Sequence, residues 1–146
     1  MAQQSPQTFE NHARILPVFH YVAFPLLAIN VFFALYQAVT AFSWANLVAF
    51  GLAVGLILLF FLARVMALTV QDRVIRLEET LRMRALLPAD LQPRIGEFTV
   101  KQLVALRFAS DAELPELARQ VLDGKIEDQK AIKRMVREWR ADYQRA

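Results

Sequence analysis

Two histidines are the side chains in the first part of this sequence that could ligate a metal or a cofactor. His12 and His20 are eight residues apart, and Pro17 lies between them. This spacing does not place them as adjacent ligands on one helix face, so they make a poor metal site within one chain. Each could ligate a haem or a pigment alone or with its counterpart from another chain, but a histidine at a membrane edge more often hydrogen-bonds a headgroup or caps a helix. We therefore predict no metal and no cofactor, and His12 and His20 are the candidates if a ligand is bound.

The other side chains offer little for catalysis. The chain has no cysteine, and residues 64–146 contain no histidine. This removes thiolate ligands, disulfides and the usual base for a Ser or Thr nucleophile. The glycines, at positions 51, 55, 96 and 124, form neither a phosphate-binding loop nor a dinucleotide fingerprint. The carboxylates are interleaved with arginines and are predicted to form surface pairs, so we expect a protein that is not an enzyme.

Charge is distributed unevenly along the chain. The 49 residues between Arg14 and Arg64 include no Asp, Glu, Lys or Arg, whereas the part from Arg64 onward holds 16 of the 17 basic and 13 of the 14 acidic residues. The uncharged stretch is long enough for two membrane-spanning helices of about 20 residues each. Pro25 lacks an amide donor and predicts a kink in the first of them. We predict a hairpin with its spans at about residues 17–40 and 44–66.

The basic residues predict an orientation for this hairpin. Arg14 precedes it, Arg64, Arg73 and Arg76 follow it, and the turn AFSW between the spans has none. The positive-inside rule then places both termini in the cytoplasm. A cleavable signal peptide is disfavoured, because the first apolar run is far longer than an apolar signal region of roughly 7 to 15 residues.

Small and polar residues form stripes on the predicted spans, where they would allow close helix packing and interhelical hydrogen bonds. They are Asn30, Ala34 and Gln37 in the first span, Asn46, Ala49 and Ala53 on one face of the second, and Gly51 and Gly55, a G-x-x-x-G pair, on another. We predict one seam between the two spans and a second seam toward another chain. The alternative is that small residues are simply common in membrane helices.

The pattern becomes amphipathic after the second span. Four apolar residues keep a 4-3-4 spacing: Val70, Val74, Leu77 and Leu81. Glu78 and Arg82 form one of the predicted i,i+4 charge pairs. The second span is thus predicted to continue as a helical stalk until Pro88 stops it. Two prolines and a glycine in residues 88–97 predict a linker.

The segment after the linker contains helix start and stop signals. Thr99 and Gln102 have the spacing of a capping box. A second helix is predicted to begin with Ser110 or Asp111 as its N-cap and to end with Gly124 at its C-terminus. These helices are amphipathic and short, so they can bury their apolar stripes on one another.

A third helix is predicted from Glu127 to Gln144, with one apolar and one basic face. The basic face comprises Lys130, Lys133, Arg134, Arg137 and Arg140. It could contact anionic lipid or an acidic protein, or be an ordinary solvated surface. Each Lys or Arg near an anionic membrane adds about 1 kcal/mol of attraction, which supports the lipid interpretation and leaves the other two open. Nucleic acid is not expected, because the only aromatic residues that could stack on bases, Trp139 and Tyr143, lie on the apolar side.

These features together predict the class and organisation of the chain. The class is an all-α membrane protein: a two-helix transmembrane hairpin whose second helix extends into the cytoplasm, followed by a small C-terminal helical module. The predicted parts are an N-terminal cytoplasmic arm, the hairpin, a juxtamembrane stalk, a linker and a three-helix module, at residues 1–14, 15–70, 71–87, 88–97 and 98–146.

Two segments resemble a known family. FENHARILPVFHY at 9–21 and QLVALRFASDAELPELARQVL at 102–122 resemble a family of small bacterial two-span membrane proteins that is classified as a domain of unknown function. The run N-H-x-R-x-x-P-x-F-H, from Asn11 to His20, is the more specific part. The resemblance implies a bacterial origin and a hairpin with a cytoplasmic tail, and it implies no activity.

Our first hypothesis is a non-enzymatic protein of the bacterial inner membrane. It would self-associate through its hairpin as a homo-oligomer and present its basic module to a lipid or protein partner. One alternative is an accessory subunit of a larger respiratory or transport complex, in which His12 or His20 touches a cofactor. The other is an oligomeric pore with Asn30 and Gln37 facing inward.

Overall fold

The computed structural model describes residues 8–10 and 16–142 of this chain. The described residues are helical with short connections, and they include no β-strand. They divide into two compact units, with the boundary between Ala67 and Leu68. His12, Tyr143 and most of the predicted N-terminal arm lie outside the described residues.

The first unit is a helical hairpin. It begins with a π-helix, Val18–Ala23, and continues directly into α1, Phe24–Thr40. Pro25 is the second residue of α1, and because the π-helix continues directly into α1, its missing amide cannot donate to the preceding turn. A π-helical segment precedes Pro25, in the region where the sequence predicted a kink.

The side chain of Asn46 closes the turn of this hairpin. Its Nδ2 donates to the carbonyl of Ala41 at 2.6 Å and to the carbonyl of Gln37 at 3.4 Å. The hydroxyl of Ser43 accepts a hydrogen bond from the backbone amide of Asn46 at 3.1 Å. The carbonyl of Gln37 also accepts from the amide of Ala41 at 3.0 Å, so the main contribution of Asn46 is a partner for the carbonyl of Ala41 just past the end of the helix.

The second long helix, α2, runs from Trp44 to Leu86 as one element of 43 residues. It ends just before Pro88, as the sequence predicted, because a proline disfavours the helical conformation of the residue before it. Gln92 caps this end, because its Nε2 donates to the carbonyl of Leu87 at 2.7 Å and to that of Arg84 at 2.9 Å.

The last five turns of α2 bury a different stripe from the apolar one that the sequence emphasised. Ile75, Glu79 and Met83, one turn apart, are at most 5% exposed. The predicted stripe on the opposite side is between 48% and 62% exposed; it comprises Val70, Val74, Leu77 and Leu81. The amphipathic pattern was correctly identified as helical, but it does not mark the face that packs in the module.

The second unit is built around the C-terminal end of α2. It contains a 3-10 helix, Gln92–Glu97, and three short α-helices: α3, Val100–Leu106; α4, Leu114–Asp123; and α5, Gln129–Met135. Its core includes Met83 from α2 and residues from every one of these helices.

Residues 88–97 pack as part of this unit, although the sequence predicted a linker. Leu91 is 1% exposed, and Ile95 is also buried in the core. The guanidinium of Arg94 bridges to the carboxylate of Asp123 at 2.8 Å. Two buried apolar side chains and the ion pair with Asp123 hold the segment against α4, although the segment contains prolines.

The capping box at the start of α3 is confirmed. The hydroxyl of Thr99 accepts from the amide of Gln102 at 3.3 Å, and the side-chain oxygen of Gln102 accepts from the amide of Thr99 at 2.8 Å. The predicted start of α4 was too early. Ser110 does accept from the amide of Glu113 at 3.2 Å, but the residues between them form a turn and the helix begins at Leu114.

The last helix is much shorter than the predicted Glu127–Gln144. Helix α5 stops at Met135, and Val136 is extended. The following segment lies beside the end of α3, where Ala109 and Trp139 form an antiparallel bridge. The amide of Arg140 donates to the carbonyl of Phe108 at 2.7 Å. These distant backbone bonds replace the helical bonds that the local pattern predicted.

Candidate functional site

A charged cleft of about 620 Å³ lies in the second unit. Four parts of the chain form it: α2, the residue after α3, the turn before α4 and the extended C-terminal segment. Its charged lining residues are Glu78, Glu79, Arg82, Arg107, Asp111, Arg140 and Asp142.

Arg82 is the central cation of the charged cleft. Its Nη1 lies 3.1 Å from the carboxylate of Glu79, one turn earlier in α2. Its Nη2 lies 2.7 Å from Asp111 Oδ1 and donates to the carbonyl of Ala109 at 2.7 Å. The predicted pair of Glu78 with Arg82 is not the one that forms, because the guanidinium points toward the turn before α4.

Glu79 is an acid buried in the wall of the cleft. It is 5% exposed, and Arg82 and Arg140 flank it, with Arg140 Nη1 at 3.8 Å from Glu79 Oε1. Burial raises the pKa of Glu79 above its ordinary value of 4.5, and the positive charge and hydrogen bond of Arg82 oppose this rise. The prediction that the carboxylates form only surface pairs was therefore wrong for Glu79.

Arg107 forms the far wall of the cleft from the residue that follows α3. It is 7% exposed, and its Nε lies 3.3 Å from the carboxylate of Asp142. Its guanidinium carbon lies 4.6 Å from the centre of the Phe108 ring, within the range of a cation–π contact. Asp142 belongs to the C-terminal segment, so Arg107 ties this segment to the core.

The described lining of the cleft consists mainly of arginines and carboxylates. Three arginines face four carboxylates there, and no Ser–His or Cys–His pair is among the described lining residues. No group of three or more metal-ligating side chains occurs within residues 8–10 and 16–142. The exposed rim, where Asp111 is 67% and Arg140 54% exposed as side chains, is available to an ionic partner.

The sequence analysis did not identify the charged cleft, although one signal was present. Ile75, Glu79, Met83 and Leu87 are spaced by four residues, so Glu79 interrupts an otherwise apolar helical stripe. An acid in that position must be paired when the stripe is buried. Its partners could not be inferred, because Asp111 is distant in sequence.

The five predicted basic residues do not form one helix face. Lys130, Lys133 and Arg134 lie on α5, whereas Arg137 and Arg140 belong to the extended segment after it. Lys133 Nζ lies 5.3 Å from the Phe108 ring centre, and Arg134 lies at the same distance from the Phe9 ring centre. Of these five residues, Lys130 and Arg137 are the other exposed cations, and Arg140 lines the charged cleft.

The small and polar stripes of the hairpin lie around one groove of about 420 Å³. Its lining includes Asn30, Ala34 and Gln37 from α1, and Asn46, Ala49 and Ala53 from α2. Ala34 is 8% and Ala53 1% exposed, so small side chains lie where the helices are closest. Gly51 and Gly55 lie on a separate, exposed face, and a Cβ added at either would meet no atom within 4 Å.

His20 is exposed in the π-helix at the start of the hairpin. Its Nδ1 lies 3.0 Å from the carbonyl of Leu16, and because a carbonyl can only accept, Nδ1 carries the shared proton. The ring also makes an edge contact with Phe19 at 5.0 Å between centres. Any ligand of His20 would bind Nε2, and His12 lies outside the described residues.

The chain belongs to a family of unknown function, DUF6526, whose model matches residues 1–146. Neither the curated proteins nor the solved structures include one that matches the chain.

Proposed function

We propose that this chain is a non-enzymatic membrane anchor that self-associates and presents a folded cytoplasmic module. One observation carries the proposal. Two helices, Val18–Thr40 and Trp44–Leu86, contain windows long and apolar enough to cross a membrane, and only 6% of each window is buried inside the protein. A core helix of a soluble domain would bury most of such a window. Lipid is the environment that covers this exposed apolar surface at no cost.

The proposed topology is a hairpin in the bacterial inner membrane with both ends in the cytoplasm. Its turn consists of residues 41–43 and has no charged residue, whereas Arg64 and the later cations come toward the end of the second span and after it in the sequence. Arg64 lies 5.6 Å from the centre of the Phe19 ring, and an arginine at the end of a span can extend its guanidinium to the membrane interface.

Reporter fusions at two positions test this anchor. Alkaline phosphatase, which is active only outside the cytoplasm, and green fluorescent protein would each be fused after Ala146 and, separately, after Phe42. We expect fluorescence from the Ala146 fusion, phosphatase activity from the Phe42 fusion, and all full-length chain in the membrane fraction. A chain that stays soluble after ultracentrifugation without detergent overturns the proposal.

The proposed seam for self-association in the membrane is the exposed face of Gly51 and Gly55. Neither glycine is covered by another part of the chain, so a second helix can approach the backbone there. The mass of the detergent-solubilised particle tests the oligomer. We expect more than one copy of the chain and no larger polypeptide.

The proposed partner of the module is anionic lipid, which the exposed Lys130 and Arg137 would attract. Full-length protein in nanodiscs with and without anionic lipid would show this as slower amide exchange in residues 129–140 when the anionic lipid is present. Equal exchange in the two lipids, together with capture of an acidic protein, would favour a protein partner instead.

A second candidate function is an accessory subunit whose His20 contacts a cofactor. The observation that favours it is the position of His20, exposed and with Nδ1 already engaged, which leaves Nε2 for a ligand. A visible absorption band in the purified protein that is lost in His20→Ala would support this candidate. A colourless particle would exclude a haem or a pigment.

A further inference from the structure

The apolar stripe on the last turns of α2 is exposed in a part of the chain that is otherwise charged. Val70 is 61% exposed, Val74 48%, Leu77 62% and Leu81 56%. The module uses the opposite side of the helix, where Ile75, Glu79 and Met83 are buried. The exposed stripe is therefore not a remnant of the module core, and no described residue of its own unit covers it.

The spacing of this stripe is that of a two-stranded coiled coil. Steps of four, three and four residues place Val74 and Leu81 at a positions and Val70 and Leu77 at d positions of a heptad. Val74 at a with Leu77 at d is the combination that favours two strands, whereas Leu81 at a with Val70 at d is the reverse, so the flanking charges have to decide the arrangement. Ala67 and Arg84 occupy the next core positions, so the seam is limited to residues 67–84.

The charges beside the stripe select a parallel arrangement. In this heptad Arg73 occupies a g position and Glu78 the following e position, and both are exposed. In a parallel pair the g residue of one helix meets the next e residue of its partner, so Arg73 would meet Glu78 of the other copy twice. An antiparallel pair would instead bring arginine near arginine and glutamate near glutamate.

We propose that a second copy of this chain docks on residues 67–84 as a parallel two-stranded coiled coil. The inference rests on the proposed membrane anchor, because two copies inserted with one orientation present their α2 helices in parallel. It names the contact that holds the cytoplasmic parts of the oligomer together, in addition to any seam between the spans. Lipid or a different subunit on the stripe are the competing occupants.

Disulfide cross-linking in native membranes tests this contact, since the natural chain has no cysteine. Single cysteines would be placed at Val70, Leu77 and Leu81, with Arg76→Cys as the matched control, because Arg76 is exposed on the same helix but lies off the stripe. We expect oxidation to give a covalent dimer with a cysteine at each of the three stripe positions and no dimer with Arg76→Cys.

Two cross-linking results would overturn the proposal. A dimer at Leu77 that is absent at Val70 and Leu81 would show an antiparallel crossing, and equal cross-linking at all four positions would show random collision. Absence of any dimer in chains that do sediment with the membrane would refute the coiled coil and leave the anchor intact. Chains that fail to sediment would refute the anchor, and the cross-linking pattern would still report on the stripe.

A charge exchange provides a second test in the Leu77→Cys background. Arg73→Glu and Glu78→Arg should each lower the cross-linked fraction, because each places like charges across the seam. The double variant R73E/E78R restores opposite charges and should restore the dimer. A double variant that stays as weak as the single variants would overturn the parallel pairing.

Discussion

The guanidinium of Arg82 lies 2.7 Å from the carboxylate of Asp111 and joins the long helix α2 to the turn before α4. The same side chain holds buried Glu79 at 3.1 Å. One arginine therefore compensates a buried acid and fixes the place where two distant segments meet.

Replacing Arg82 with methionine should destabilise the module by about 3 kcal/mol, because it leaves the carboxylate of Glu79 buried beside only the more distant Arg140. The unfolding of the full-length protein in detergent can be followed by the fluorescence of Trp139 in a Trp44→Phe background, since the chain has two tryptophans. Arg84→Met is the control, because Arg84 is exposed in the same helix. Equal losses in the two variants would contradict the central role of Arg82.

The titration of Glu79 should make the stability of the module depend on pH. Its pKa is raised by burial, so the folded protein retains a proton that the unfolded chain releases. The contribution of Glu79 to stability is therefore most favourable below pH 4.5, the ordinary value, and decreases as the pH rises through the folded pKa. The free energy of unfolding of the natural protein minus that of the Glu79→Gln variant should therefore decrease as the pH rises above 4.5. A difference that increases with pH would show that the pKa is lowered.

Gly124→Ala should destabilise the end of α4, because a Cβ there would lie 2.8 Å from the carbonyl oxygen of Gln120. Overpacking of this kind costs about 1 to 3 kcal/mol, since the obstructing atom belongs to the backbone. Gly96→Ala is the matched control, because its Cβ would meet nothing within 4 Å. Thermal unfolding monitored by Trp139 should separate the two variants, and similar midpoints would contradict the proposed steric role.

A leucine substitution should have different effects in the two helix-packing seams of the hairpin. Ala53 is 1% exposed, so Ala53→Leu should force α1 and α2 apart and cost about 1 to 3 kcal/mol. Gly51→Leu should leave the hairpin intact and lower the mass of the oligomer, because Gly51 lies on an exposed face. Size-exclusion chromatography of heated, detergent-solubilised protein measures the two effects. An unchanged oligomer in Gly51→Leu would remove this face from the proposed contact.

Local and periodic features of this protein could be predicted from its sequence. The two long apolar helices, the end of α2 before Pro88 and the capping box of Thr99 with Gln102 depend on residues close together in the chain. Their signals are uncharged length, a missing amide donor and a side chain that reaches its own helix terminus. Such interactions are complete within a few turns, so neighbouring residues determine them.

The tertiary structure decided which of two stripes on α2 is buried and where the last helix ends. Glu79 is an interior residue because Arg82, which pairs with it, also bonds to Asp111 from a distant part of the sequence. Helix α5 stops at Met135 because the residues after it pair with the end of α3. Periodicity gives the angle between residues around a helix, but it does not state which side will find a partner. That choice depends on contacts between segments far apart in sequence, and these form only when the whole module is assembled.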